Sequence, residues 1–113
     1  MTTLTGLTTE QKQMIVDGLQ IMLNKVVYPT AKYIASTHRS SNRDAIKVVE
    51  IGEDIYQIHP IINGNSTDGF FTITVTITKR SMAEDPVSTF SEKFTSYDDV
   101  ESKLEEYKKE ILA

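Results

Sequence analysis

From Phe70 to Thr78 the chain alternates strictly between two kinds of residue. Phe71, Ile73, Val75 and Ile77 fall on one side, and Phe70, Thr72, Thr74, Thr76 and Thr78 on the other. Successive side chains of a strand point to opposite faces, so this run reads as a strand with one apolar and one polar face. A helix would scatter the same residues around its circumference. The segment therefore demands two things of the rest of the chain: strands to pair with, and an apolar layer to cover its Ile/Val face.

The strands are found on both sides of it. Ala45–Ile51 is rich in β-branched residues and reads as a first strand. Gly52-Glu53-Asp54 is a tight-turn signal, and Ile55–Ile62 reads as a second strand. Its two sides carry Ile55, Gln57, His59 and Ile61 against Tyr56, Ile58 and Pro60. Pro60 cannot donate to a ladder, which predicts an edge or a bulge at that end. Asn63–Gly69 is a loop, and Asn65-Ser66-Thr67, although it matches a glycosylation acceptor, reads as part of that turn. Residues 79–86 form another loop. Val87–Thr95 is a weaker fourth strand, rich in serine and threonine. The short connections predict antiparallel pairing, because parallel strands need long crossovers.

Helices supply the cover. Thr8 and Gln11 have the spacing of a capping box. After them Ile15, Leu19, Met22, Leu23 and Val26 form an apolar stripe, widened by Met14, Val16, Ile21 and Val27. Gly18 inside this helix costs about 1 kcal/mol relative to alanine, so a close crossing by another backbone is one reading of it and simple tolerance the other. Pro29 is expected to stop or kink the helix, with Thr30–Ser36 resuming as a short second one. Thr37–Arg43 is polar and is expected to be a surface loop. Ser96 is the expected cap of a last helix, with Asp98 and Asp99 in its first turn. Val100, Leu104, Tyr107 and Ile111 form its buried stripe, and Asp99–Lys103 and Glu105–Lys109 are spaced as i,i+4 ion pairs. Residues 1–7 carry few packing signals and are expected to fray.

The fold class that follows is α+β, as one domain over residues 1–113. A long N-terminal helix and a short second helix precede a three- to four-stranded antiparallel sheet, and a C-terminal helix packs on one sheet face. One hundred and thirteen residues are enough for a single core without a metal or cross-link.

The chemistry is mostly one of exclusion. There is no cysteine, hence no disulfide, thiolate metal site or cysteine nucleophile. The two histidines, His38 and His59, have no metal-ligand spacing. His38 reads as solvated and His59 as packed or hydrogen-bonded at a strand end. Neither a G-x-S-x-G elbow nor a glycine-rich phosphate loop occurs. The acids of the last helix are interleaved with lysines, as on a solvated face. No cofactor, no metal and no enzymatic activity are expected. The N-terminus shows no export signal and no apolar run spans a membrane, so the expected location is cytoplasmic. The threonine row reads as a half-solvated strand face, open to water or to a partner.

Two partner classes remain. The first helix is apolar around more of its circumference than one small sheet can cover, which points to Met14, Ile21 and Tyr28 as a protein-binding or homodimer surface. The strand ending at Pro60 and the weak fourth strand are candidate edges for strand addition. The alternative is nucleic acid. Between Gly18 and Val49 there are five cations, Lys25, Lys32, Arg39, Arg43 and Lys47, against Asp44 alone. Of these, Lys32, Arg39, Arg43 and Lys47 are the candidate phosphate contacts. Acids dominate from Ser81 onward, and the overall charge is −4. Asp98, Asp99 and Glu101 would repel phosphate from the start of the last helix.

Overall fold

The computed structural model describes residues 4, 6–65, 69–82 and 85–113. Helix α1 (Thr9–Met22) runs through one π turn (Leu23–Val27) into α2 (Tyr28–Thr37). Five strands follow, β1 (Ser41–Asp44), β2 (Lys47–Ile51), β3 (Asp54–Asn65), β4 (Phe70–Lys79) and β5 (Ser88–Phe94), and then α3 (Val100–Leu112). The class is α+β as the patterning requires, with a five-stranded antiparallel sheet.

The capping box forms as its spacing predicts. The Gln11 amide donates to Thr8 Oγ1 at 3.1 Å, and Gln11 Oε1 accepts from the Thr8 amide at 3.0 Å. Pro29 neither stops the helix nor leaves it regular. Its ring would collide with the carbonyl four residues back, and it brings no amide hydrogen. The chain responds with the π turn just before it, in which the Tyr28 amide reaches the Leu23 carbonyl. Every helical face downstream is rotated relative to α1. His38 ends α2 in the left-handed region, at φ 57°, and its amide donates to the Ile34 carbonyl at 2.9 Å. At the other end of the chain the expected Ser96 cap moves. Ser96 Oγ accepts from the Asp98 amide at 3.3 Å, one turn early, and α3 starts after Asp99 without a side-chain cap. The expected i,i+4 pairs of α3 give way to an i,i+3 pair, Glu105–Lys108, whose ammonium also donates to Gln20 of α1.

The segment Thr37–Arg43 was expected to be loop, but its second half is strand. Ser41–Asp44 pairs with the far half of β3, and Lys47–Ile51 pairs with its near half. The two share one register: Asp44 lies opposite Ile61 and Lys47 opposite Ile58. They are a single edge strand over 41–51, interrupted opposite Pro60. There the Ala45 amide donates to the Pro60 carbonyl at 3.3 Å, and the reciprocal donor does not exist. Pro60 therefore sits inside an internal strand, not at an edge or a bulge. Its missing amide faces Ala45, and its partner in β4 is Val75, a pair that exchanges no ladder bond. The β2–β3 turn has two residues, with Gly52 at φ 62° in the first central position, where hairpin turns use glycine.

All three helices cover one face of the sheet. That face presents Val49, Ile51, Tyr56, Ile58, Ile62, Phe71, Ile73, Val75, Ile77 and Phe94, all buried. Ile15, Leu19, Leu23, Val27, Ile34, Val100, Leu104, Tyr107 and Ile111 meet them from the helices. Leu4, in the segment expected to fray, is also buried in this core. The remaining early residues, 1–3 and 5, lie outside the described residues, as do Ser66 and Thr67 of the loop before β4.

Two glycines mark where the layers approach most closely. A methyl group on Gly18 would lie 3.0 Å from Val49 Cγ2 and 3.1 Å from Ile58 Cδ1. Gly18 is thus approached closely, but by strand side chains and not by the crossing backbone that the sequence suggested. At Gly64 the same methyl would lie 2.6 Å from Ile34 Cδ1 and 2.9 Å from its Cγ2. Gly64→Ala is expected to destabilise the domain by about 1–3 kcal/mol through overpacking, measured as a lower denaturant midpoint. Gly18→Ala recovers helix propensity and is expected to cost less.

Candidate functional site

Among the described residues, no layer covers the sheet face away from the helices. It carries Ile46 and Val48 from the edge strand, Gln57, His59 and Ile61 from β3, the threonine row from β4, and Thr89 and Ser91 from β5. Thr74 and Ser91 hydroxyls meet at 3.3 Å across the β4–β5 pair. The threonine row thus has hydroxyl neighbours on its β5 side, although β3 offers none. His59 lies in the middle of β3, not at a strand end, and its Nε2 is hydrogen-bonded to Asp44 Oδ2 at 3.1 Å. His38 is exposed at the end of α2. Among the described residues no three histidine or carboxylate side chains converge on a point, and no helix is long and apolar enough to cross a membrane.

The edge at 41–51 has a definite hydrogen-bonding polarity. Ala45 turns its amide toward β3, and the residues of a strand alternate. The backbone groups of Asn42, Asp44, Ile46, Val48 and Glu50 therefore point outward, and all five residues are exposed. On the open face beside this edge, Ile46 is 56% and Val48 48% exposed. On the helix side, Gly18 seats α1 against Val49 and Lys47. Met14 and Ile21 lie one turn to either side of Gly18 on that same side of α1, and are 45% and 40% exposed. Four of the five large apolar residues left exposed among the described residues thus flank one sheet edge; the fifth is Tyr33. Sequence reasoning found Met14 and Ile21 but missed Ile46 and Val48. Alternation within Ala45–Ile51 was the available signal, and it does not say which face a helix will cover.

Tyr28 does not join that surface. The π turn carries it to the α3 side, where it is half-buried with its ring edge-on to Tyr97 at 6.4 Å. Burial pushes its phenol up to about 12, helped by Glu105 and Glu101. Burial and then Glu101 raise Tyr97 as well. Tyr107, bonded to the Ser88 hydroxyl at 2.6 Å, is raised to about 12, chiefly by burial.

The basic residues divide. Arg43 and Lys25 line a cleft of about 430 Å³ between α2 and β1, with Thr30, Tyr33 and Ser41. Lys32 lies on a second groove, with its ammonium 5.4 Å from the Tyr97 ring centre. Lys47 lays its stem beside Gly18, and Arg39 stands exposed just after α2.

Comparison with family models, curated proteins and solved structures finds no match to this chain, so a functional reading rests on this geometry alone.

The tyrosines supply a pH test. A phenol held neutral in the fold keeps its full contribution below pH 10, and that contribution is lost as pH climbs through the raised value. Stability is expected to fall between pH 10 and about 12 as Tyr28 and Tyr107 ionise on unfolding. Tyr107→Phe should flatten the alkaline slope in chemical denaturation, at a cost of about 1 kcal/mol near neutrality for the lost hydrogen bond.

Proposed function

We propose that this chain is a small non-enzymatic protein-binding module, an accessory or regulatory protein that takes a second polypeptide strand along its 41–51 edge. One observation carries this reading. Four exposed apolar side chains, Met14, Ile21, Ile46 and Val48, flank a single edge strand from both sides. The five outward residues of that strand offer amides and carbonyls for a sixth strand. Natural edges are commonly blunted by proline, a bulge, charged side chains or a covering loop; this one carries Asp44 and Glu50 toward its ends, but it keeps a continuous register and none of its five outward residues is covered.

Val48→Pro tests it. The Val48 amide points away from β3, so its removal leaves the existing ladder intact while blocking an added strand. Immobilised wild-type chain is expected to retain proteins from a lysate that the variant does not retain. Equal retention by both, with the variant folded by circular dichroism, would refute edge docking.

A nucleic-acid module is the second reading, and one observation favours it. The Lys25–Arg43 cleft holds two cations, no acid, and an exposed tyrosine ring. A gel shift that weakens steeply with added salt, and further on joint Lys25→Ala and Arg43→Ala substitution, is the expected outcome of that reading. Salt-insensitive or absent binding removes it.

A further inference from the structure

The geometry points to a second copy of this chain as the occupant of the edge, paired antiparallel across a two-fold axis that passes beside Ile46. This rests on the edge-docking reading above and goes beyond it by fixing the partner and the register.

A two-fold axis perpendicular to a sheet keeps each side chain on its own face. Residues brought opposite one another must therefore share a face, which here means even with even and odd with odd. Among such registers, the one that pairs the whole of 41–51 has its centre at Ile46. Charge selects it over its neighbours. Centred one residue on, the pairing sets Lys47 against Lys47 and Asp44 against Glu50. Centred one residue back, it sets Arg43 against Lys47. Like charges directly opposite destabilise a strand pair. Centred at Ile46, Asn42 faces Glu50, Arg43 faces Val49, Asp44 faces Val48 and Ala45 faces Lys47, so no like charges stand opposite. All five outward residues then exchange hydrogen bonds with their counterparts.

The same operation accounts for both apolar flanks. On the open face it brings the two Ile46 side chains together, with a Val48 on each side. On the helix face it sets the two α1 helices side by side, because Met14 and Ile21 project past Gly18 toward this edge. One symmetry element thus brings the four apolar side chains that flank this edge into contact across the axis, and the result is a continuous antiparallel sheet with all helices on one side.

The absence of cysteine makes the register directly testable. Opposed Cα atoms in a hydrogen-bonded antiparallel pair are about 5.5 Å apart, within reach of a disulfide. Ile46→Cys is expected to form a covalent dimer under mild oxidation, at least tenfold faster than Thr89→Cys, an exposed site on the opposite edge strand. Wild-type chain should scatter as twice its 12.7 kDa mass. Val48→Pro should raise the dimer dissociation constant at least tenfold. So should Ile46→Lys, which sets two cations at the axis without touching the core. A wild-type chain that stays monomeric at millimolar concentration, or equal cross-linking of the two cysteine variants, overturns the self-pairing. If that monomer still loses protein capture on Val48→Pro, self-pairing fails while edge docking stands. A dimer indifferent to both Val48→Pro and Ile46→Lys overturns self-pairing and the edge assignment together.

Discussion

The hydrogen-bond ladder of β3 is the constraint on which the rest of the molecule depends. This twelve-residue strand pairs with β4 from Tyr56 to Asn65 on one side, and with the broken strand 41–51 on the other. Its alternation sends Tyr56, Ile58, Pro60, Ile62 and Gly64 toward the helices and leaves Gln57, His59 and Ile61 outside. The helices take their positions from that pattern: Gly18 lets α1 settle over Ile58, and Gly64 lets Ile34 of α2 reach the sheet. Shifting β3 by one residue would exchange its two faces and leave every helix without a surface to bury.

A chain of this length has enough helix to cover one face of such a sheet. The uncovered face then has to be tolerable in water, and the threonine row of β4 with Thr89 and Ser91 of β5 makes most of it so. The exception lies toward the 41–51 edge, where Ile46 and Val48 replace hydroxyls with apolar side chains. Burial on one side and polarity across most of the other are both explained by folding alone. The apolar concentration at one rim is not, and that contrast is why a binding role is argued there.

Most of the architecture was legible from periodicity. The alternation of 70–78, the buried stripe of α3 and the Thr8–Gln11 cap are local patterns with local physics, and each forms where it is written. Of the features that escaped, two did so because their causes are not local. Ser41–Asp44 is polar throughout and has no strand signature of its own; it is drawn into the sheet by the free length of β3 beyond Pro60. The position of Tyr28 depended on how the helix would absorb Pro29, and a π turn changes the phase of everything after it. The candidate site was half visible for the same reason. Helical spacing exposed Met14 and Ile21, but the open side of the sheet could not be known before the helices were placed.

The widened turn at Leu23–Val27 gives the helical layer a property of its own. Because it holds one residue more than a regular turn, it decouples the angular setting of α1 from that of α2 within one unbroken rod. The first half of the rod answers to the sheet edge through Gly18, and the second half answers to Gly64 through Ile34. Lengthening or trimming the chain by a single residue at this turn would spin one half against the other while the strands stayed where they are. The turn is the gear by which such a fold could re-aim the outer face of its first helix without rebuilding its core.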